Sequence, residues 1–100
     1  MTEPIDIAVD RSLRPLMPKF FAVRGEEPGR MKAALAAGEF TSLERIGHTL
    51  HGTASSYGFA RLGEIGRHIE AAAKARDAAA IRLLVVEMED HLDRARIRYV

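Results

Sequence analysis

Apolar residues recur every three or four positions through most of this 100-residue chain, and short links separate the stretches that carry them. This spacing places the apolar side chains on one face of an α-helix. No convincing alternating stretch favours a β-strand. Because amphipathic helices bury their apolar faces against one another, the pattern predicts an all-α fold. An antiparallel four-helix bundle is the most economical packing for it.

The N-terminal region contains several helix breakers. Residues 1–10 are predicted to form a loose arm, so that the helical domain occupies residues 11–100. Pro18 lacks a backbone donor and does not fit a regular helix interior, so we expect a kink or a restart of the first helix near Met17. The apolar spacing is interrupted again at Gly25–Gly29 and resumes in nearly the same phase. One bent helix or two collinear pieces are therefore predicted.

Three further helices are predicted downstream. The second covers about residues 41–57, begins with a Thr-x-x-Glu capping box and ends at Gly58. The third covers about residues 59–75. The fourth is capped by Asp77 and continues to Arg98, so that its last arginines lie at a helix C-terminus, where the helix dipole favours cations.

Composition excludes several function classes. The chain has 15 basic and 14 acidic side chains, which leaves no electrostatic argument for nucleic acid as a partner. It has no cysteine, so disulfides and thiolate metal sites are excluded. No stretch approaches the roughly 20 apolar residues of a membrane span, and the N-terminus is unlike a signal peptide. A soluble, cytoplasmic single domain is expected.

His48 lies on the predicted solvent side of the second helix. With Leu43 at the centre of the core face, a turn of about 100° per residue places His48 at about 140° and Gly52 at about 180°. An imidazole titrates near neutral pH, and a glycine one turn away lets the backbone of a partner approach. The pattern favours a group that a partner must reach. The alternative is an ordinary surface histidine beside a tolerated glycine, although a mid-helix glycine costs up to about 1 kcal/mol.

The segment His48-Thr49-Leu50-His51-Gly52 resembles the His-x-Leu-Lys-Gly signature of histidine phosphotransfer (HPt) domains, the shuttles of two-component phosphorelays. Gly58 falls at the turn glycine of that family. The segment 35–40, Leu-Ala-Ala-Gly-Glu-Phe, resembles the Ala-Leu-x-x-Gly-Asp-Phe stretch that precedes the histidine helix. Ile69-Glu70 resembles the end of the Leu…Leu-Glu pattern in the next helix. The resemblance covers about residues 10–98.

The resemblance implies that His48 accepts a phosphoryl group, on Nε2, and relays it to or from receiver-domain aspartates. The partners would be receiver domains of response regulators or hybrid histidine kinases. The chain would be a monomeric carrier without turnover of its own. It would need no cofactor of its own, because Mg²⁺ is expected on the partner receiver domain. The alternative is an HPt-like docking module that binds a receiver or kinase without carrying phosphate.

Three neighbours of His48 are predicted to support it: Gly52, as described above, and also His51 and Glu70. The family usually has lysine where this chain has His51. We hypothesise that His51 still donates a hydrogen bond to phosphohistidine or to the receiver; the alternative is a neutral substitution. In chemotaxis-kinase-type HPt domains, a glutamate at the spacing of Glu70 hydrogen-bonds the phospho-accepting histidine and leaves Nε2 free to attack. The alternative is a solvated glutamate paired with Lys74.

The remaining polar residues divide into docking candidates and surface residues. His68 and His91 lie beside apolar stripes without recognisable partners and are predicted at the surface or its boundary. A metal cluster could be drawn through the second helix, but no second Glu-x-x-His copy exists, so no metal site is predicted. Residues expected to dock the partner surround the histidine: Glu44, Arg45, Ser55 and Arg67.

Overall fold

The computed structural model describes residues 3–100 and consists mostly of four α-helices, as predicted. Within this part of the chain, no helix combines the length and the apolar character that crossing a bilayer would require. The antiparallel order of the bundle stays a prediction. The elements along the chain are β1 (Ile5–Val9), a 3₁₀ helix (Arg11–Leu16), α1 (Met17–Ala36), α2 (Phe40–Ser56), α3 (Ala60–Lys74), α4 (Ala78–Arg94) and β2 (Ala95–Tyr99).

The two strands form a small parallel sheet that the all-α prediction did not include. Ile5 pairs with Ala95 at one end, and Val9 pairs with Tyr99 at the other. The predicted loose arm is therefore wrong for the residues of β1, while residues 1 and 2 lie outside the described part. The predicted extension of the fourth helix to Arg98 is also wrong, because the helix ends where β2 begins.

The alternation of buried and exposed residues along β1 is the strand signal that the all-α prediction missed. Ile7 and Val9 are buried, whereas Asp6 and Ala8 between and beside them are exposed, which is the period of a half-buried strand. In a strand of only five residues this alternation repeats too few times to be recognised in the sequence. A two-stranded ribbon is also marginal by itself, so its stability depends on the core against which it packs.

Helix α1 runs through the predicted interruption as one helix. Pro18 lies in its first turn, where its missing donor costs little. Pro28 lies inside the helix, but it is buried on the same face as Phe20, Arg24 and Met31. Among the residues of the predicted interruption, Pro28 is buried, whereas Gly25 and Gly29 are exposed. The helix is continuous through all three, so of the two predicted alternatives, one bent helix or two collinear pieces, the second is wrong.

The predictions for the helix ends are partly correct. Asp77 caps α4 as predicted, because its carboxylate accepts a hydrogen bond of 3.0 Å from the Ala80 N–H. Gly58 ends α2 with a φ of +89°, a left-handed conformation that favours glycine. The predicted capping box is wrong: α2 begins at Phe40, its N-cap is Glu39, and no side chain caps it.

His91 lies in the core rather than at the surface. The residue is 5% exposed, and its ring meets Phe59 edge to face at 6.3 Å between centroids. Burial lowers the pKa of His91 below its ordinary value, and the guanidinium of Arg61 acts in the same direction. The predicted surface position is therefore wrong for His91, whereas His68 is exposed as predicted.

The buried imidazole should make stability depend on pH. Because the folded pKa of His91 lies below the unfolded one, the unfolded chain binds the proton more readily. We expect the free energy of unfolding to fall as the pH drops below about 6.5, the ordinary histidine value. Urea unfolding at a series of pH values measures this. The variant His91→Leu should show a weaker dependence, and identical curves for both proteins would contradict the prediction.

Candidate functional site

Three glycines bring the backbones of α2 and α3 into contact. A Cβ added at Gly47 would lie 2.7 Å from both the backbone N of Glu70 and the carbonyl O of Gly66. A Cβ at Gly66 would lie 2.6 Å from the backbone N of His51, and one at Gly63 would collide with the Ser55 hydroxyl. Larger residues at these positions would push the helices apart. The glycines therefore determine which side chains on the two facing flanks can meet.

His48 projects into solvent from α2, as the helical wheel predicted. Its side chain is 73% exposed, and its Nδ1 lies 3.2 Å from Oε2 and 3.4 Å from Oε1 of Glu70 on α3. An ionised carboxylate only accepts hydrogen bonds, so the shared hydrogen belongs to Nδ1. In a neutral ring, Nε2 is then the nitrogen that carries a free lone pair.

The carboxylate of Glu70 contacts two side chains, His48 on α2 and Lys74 one turn further along α3. Its side chain is 20% exposed, and its Oε2 also lies 3.7 Å from Nζ of Lys74. The contact with His48 and the pairing with Lys74, which were predicted as alternatives, therefore occur together. The carboxylate is half-buried because α2 and α3 are so close, and this position limits the directions from which it can reach the imidazole.

His51 faces the helix interface rather than open solvent. Its Nδ1 lies 2.9 Å from the carbonyl oxygen of Gly63, which can only accept, so Nδ1 carries the hydrogen. Nε2 of a neutral His51 is consequently an acceptor. Donation to a phosphoryl oxygen from that nitrogen would require the doubly protonated ring. The hydrogen bond also ties the α2 side chain to the α3 backbone, a contact that the sequence did not indicate.

A shallow cleft of about 240 Å³ lies beside the histidine. Glu44 and Arg45 line it together with His48 and Glu70, so the structure brings these two docking candidates to the site. Thr41 also lines it, although the sequence prediction did not include it. Because Thr41 precedes His48 by two helical turns, a search for residues seven positions apart on the histidine face would have found it.

The other predicted docking residues are less closely connected to the histidine. Ser55 and Arg67 are both exposed, but neither lines the cleft. Gly52 is exposed too, and a Cβ there would meet nothing within 4 Å. The space beside Gly52 is open surface on the same side of α2 as His48. Among residues 3–100, no three histidine or carboxylate side chains are grouped so that they could hold a metal ion.

Comparison with known proteins gives the family. A family model for the Hpt domain, the histidine phosphotransfer domain, matches residues 20–97. The chain belongs to the HPt domain family. Neither the curated proteins nor the solved structures yielded a match. An HPt domain has a role in histidine phosphotransfer within a two-component phosphorelay, and it interacts there with receiver or kinase partners. The matched region includes His48, His51 and Glu70, whereas β1 precedes it.

Proposed function

We propose that this protein is a phosphoryl carrier that accepts a phosphoryl group on His48 and relays it to or from receiver-domain aspartates. One observation supports this most directly: an HPt domain presents an exposed His48 ring with its Nδ1 hydrogen-bonded to Glu70. The carrier would act as a cytoplasmic monomer and would have no turnover by itself. Its partners would be response regulators or hybrid histidine kinases with receiver domains.

The transfer step requires only a nucleophile from this chain. The Nε2 lone pair of His48 attacks the phosphorus of a receiver aspartyl phosphate. A P–N bond forms, the P–O bond to the aspartate breaks, and the aspartate carboxylate leaves with the electron pair. The ring keeps its Nδ1 proton and becomes cationic, so the carboxylate of Glu70 would stabilise it at a separation of 3.2 Å. Mg²⁺ on the receiver would offset the charge of the phosphoryl oxygens.

Labelling with a phosphorylated receiver domain tests the proposal. The receiver is phosphorylated with a radioactive label, mixed with this protein, and the mixture is separated by electrophoresis. We expect label on this chain that is stable in base and lost in acid, as a phosphoramidate should be. Absence of transfer to this protein, with the receiver still binding, would overturn the carrier function.

The docking module is the second candidate, and His51 is the observation that favours it. Its Nδ1 is bonded to the Gly63 carbonyl, so this turn carries no fixed cation of the kind that a lysine would supply. A protein of this class would bind the receiver through the exposed face around Gly52. The labelling experiment separates the two candidates, because a docking module retains receiver affinity but acquires no label.

Glu70 is proposed as a positioning residue that holds the tautomer of His48. The variant Glu70→Ala should slow phosphoryl transfer about tenfold or more, the usual value of a hydrogen bond to a charged group. Rapid-quench measurements give the rate, and the imidazole ¹⁵N chemical shifts of His48 report the tautomer. Both should change together in Glu70→Ala.

Lys74→Gln is the matched control for Glu70, because it removes the other partner of the same carboxylate. Its transfer rate and its His48 ¹⁵N shifts should stay close to those of the unmodified protein. A slow Glu70→Ala variant with unchanged ¹⁵N shifts would show that Glu70 does not act through the tautomer.

A further inference from the structure

The cleft beside His48 is lined by side chains of opposite charge. Its described lining residues are Thr41, Glu44, Arg45, His48 and Glu70. Glu44 and Glu70 carry carboxylates, and the imidazole of His48 is the nucleophile of the proposed transfer. A guanidinium keeps its charge throughout the physiological pH range, so Arg45 is the permanent cation of this lining. A phosphoryl group that enters the cleft is repelled by two side chains and attracted by Arg45.

The guanidinium of Arg45 is available to an anion. The residue is exposed, and within residues 3–100 it forms no ion pair with a carboxylate. The neighbouring cation Lys74 differs in this respect, because its Nζ lies 3.7 Å from the carboxylate of Glu70. The turn after His48 supplies no permanent charge, since it carries His51, whose Nδ1 is bonded to the α3 backbone.

Arg45 precedes His48 by one turn of α2. Side chains three residues apart on a helix are neighbours, with about 5–6 Å between their Cβ atoms. All the other α2 residues of the cleft lining also precede His48. Because helical side chains lean toward the N-terminus of their helix, the imidazole is inclined over this preceding turn. The long, flexible stem of an arginine can bring its guanidinium to a group carried on that ring.

Glu70 and Arg45 lie on different sides of His48. Gly47 identifies the flank of α2 that faces α3, because a Cβ there would meet the backbone of Glu70 and Gly66. A turn of about 100° per residue places His48 about 100° from Gly47 and Arg45 about 160° from it in the same direction. Arg45 is therefore further from α3 than His48. Since Nδ1 contacts Glu70, Nε2 at the other edge of the ring is directed away from that carboxylate.

We propose that Arg45 binds the phosphoryl oxygens while the group is transferred to Nε2 of His48. This inference rests on the proposed phosphotransfer function. The guanidinium has N–H donors in a planar fork that matches phosphate oxygens. Nε2 suffices as the nucleophile, and Arg45 would raise the rate by stabilising the negative charge on the phosphoryl oxygens against repulsion from Glu44 and Glu70. The role is more specific than the docking of a partner that the sequence predicted for Arg45.

Phosphoramidate, a small phosphoryl donor, tests Arg45 without a receiver. Nε2 of His48 attacks its phosphorus, a new P–N bond forms, and the bond to the ammonia nitrogen breaks. Ammonia leaves with the electron pair, and the imidazole keeps its Nδ1 proton. Because no partner docks in this reaction, its rate depends on the cleft alone. Phosphorus NMR at constant pH and ionic strength measures the formation of phosphohistidine.

The variant Arg45→Gln should react about tenfold more slowly with phosphoramidate, the usual effect of losing a hydrogen bond to a charged group. Arg45→Lys keeps the charge and should recover part of the rate. Arg82→Gln is the matched control, because it removes another exposed arginine without an ion pair among the described residues. It should react like the unmodified protein. The imidazole ¹⁵N shifts of His48 should be unchanged in Arg45→Gln, since Glu70 holds the tautomer.

A second series with a phosphorylated receiver separates the possible outcomes. The inference is overturned if Arg45→Gln reacts with phosphoramidate as fast as the unmodified protein, including the case in which only transfer from the receiver is slower and Arg45 acts in docking. It is also overturned if Arg45→Lys is as slow as Arg45→Gln, or if the ¹⁵N shifts of His48 change. In all these cases the unmodified protein still acquires phosphohistidine, so the proposed function stands. A chain phosphorylated by neither donor would overturn the proposed function, and the inference with it.

Discussion

The variant His48→Ala is expected to accept no phosphoryl group while keeping the fold and the stability of the unmodified protein. The ring is 73% exposed, and Glu70 is its hydrogen-bonding partner, so truncation should change the free energy of unfolding by no more than about 0.5 kcal/mol. Transfer, in contrast, loses its nucleophile. His51 is not expected to replace it, because that ring is bonded to the α3 backbone.

Labelling from a phosphorylated receiver measures the loss, and thermal unfolding measures the stability. His68→Ala is the matched control, since it removes another exposed histidine from a helix of the same domain. It should be labelled as efficiently as the unmodified protein. Label on His48→Ala would show that His48 is not the acceptor. Loss of label in both variants would show that the loss is not specific to His48.

Gly47→Ala and Gly52→Ala are expected to change stability in opposite directions although both add one methyl group to α2. At Gly47 the new Cβ would lie 2.7 Å from two backbone atoms of α3, which cannot move independently of that helix. Overpacking of this kind costs about 1 to 3 kcal/mol. At Gly52 the Cβ meets nothing within 4 Å, so the higher helix propensity of alanine should stabilise by up to about 1 kcal/mol.

Urea unfolding of both variants gives the two free energies. The displacement of α3 in Gly47→Ala should also move the Glu70 carboxylate away from His48, so we expect slower phosphoryl transfer in this variant as well. A Gly47→Ala protein as stable as the unmodified one would contradict the close approach of the two helices. A strongly destabilised Gly52→Ala protein would contradict the open surface beside that residue.

The sequence predicts those features of the site that depend on the geometry of a single helix. The wheel places His48 outside and Gly52 beside it because both positions follow from rotation about the α2 axis. It also places Glu70 at the flank of α3. The contact between Glu70 and His48 depends in addition on the distance between two helices. Glycines on both α2 and α3 allow that short distance. The apolar spacing within either helix alone does not predict it.

The orientation of His51 illustrates the same limit. A residue at the flank of α2 can face a partner protein or the neighbouring helix, and the turn arithmetic does not distinguish these directions. The close approach at Gly63 brings a backbone carbonyl within hydrogen-bonding distance of the ring. The error at His91 has a related cause, because one of the elements beside it is β1, which was predicted as a loose arm.

The parallel sheet has a consequence for the order in which the molecule forms. Ile5 pairs with Ala95, so the first strand finds its partner about ninety residues later in the chain. Helices form from contacts close in sequence, whereas a pairing of this separation must first overcome the entropy of closing a long loop. We therefore expect the four helices to assemble early and the sheet to join them late. His91, whose surroundings include β1, would then reach its buried state only in this last step.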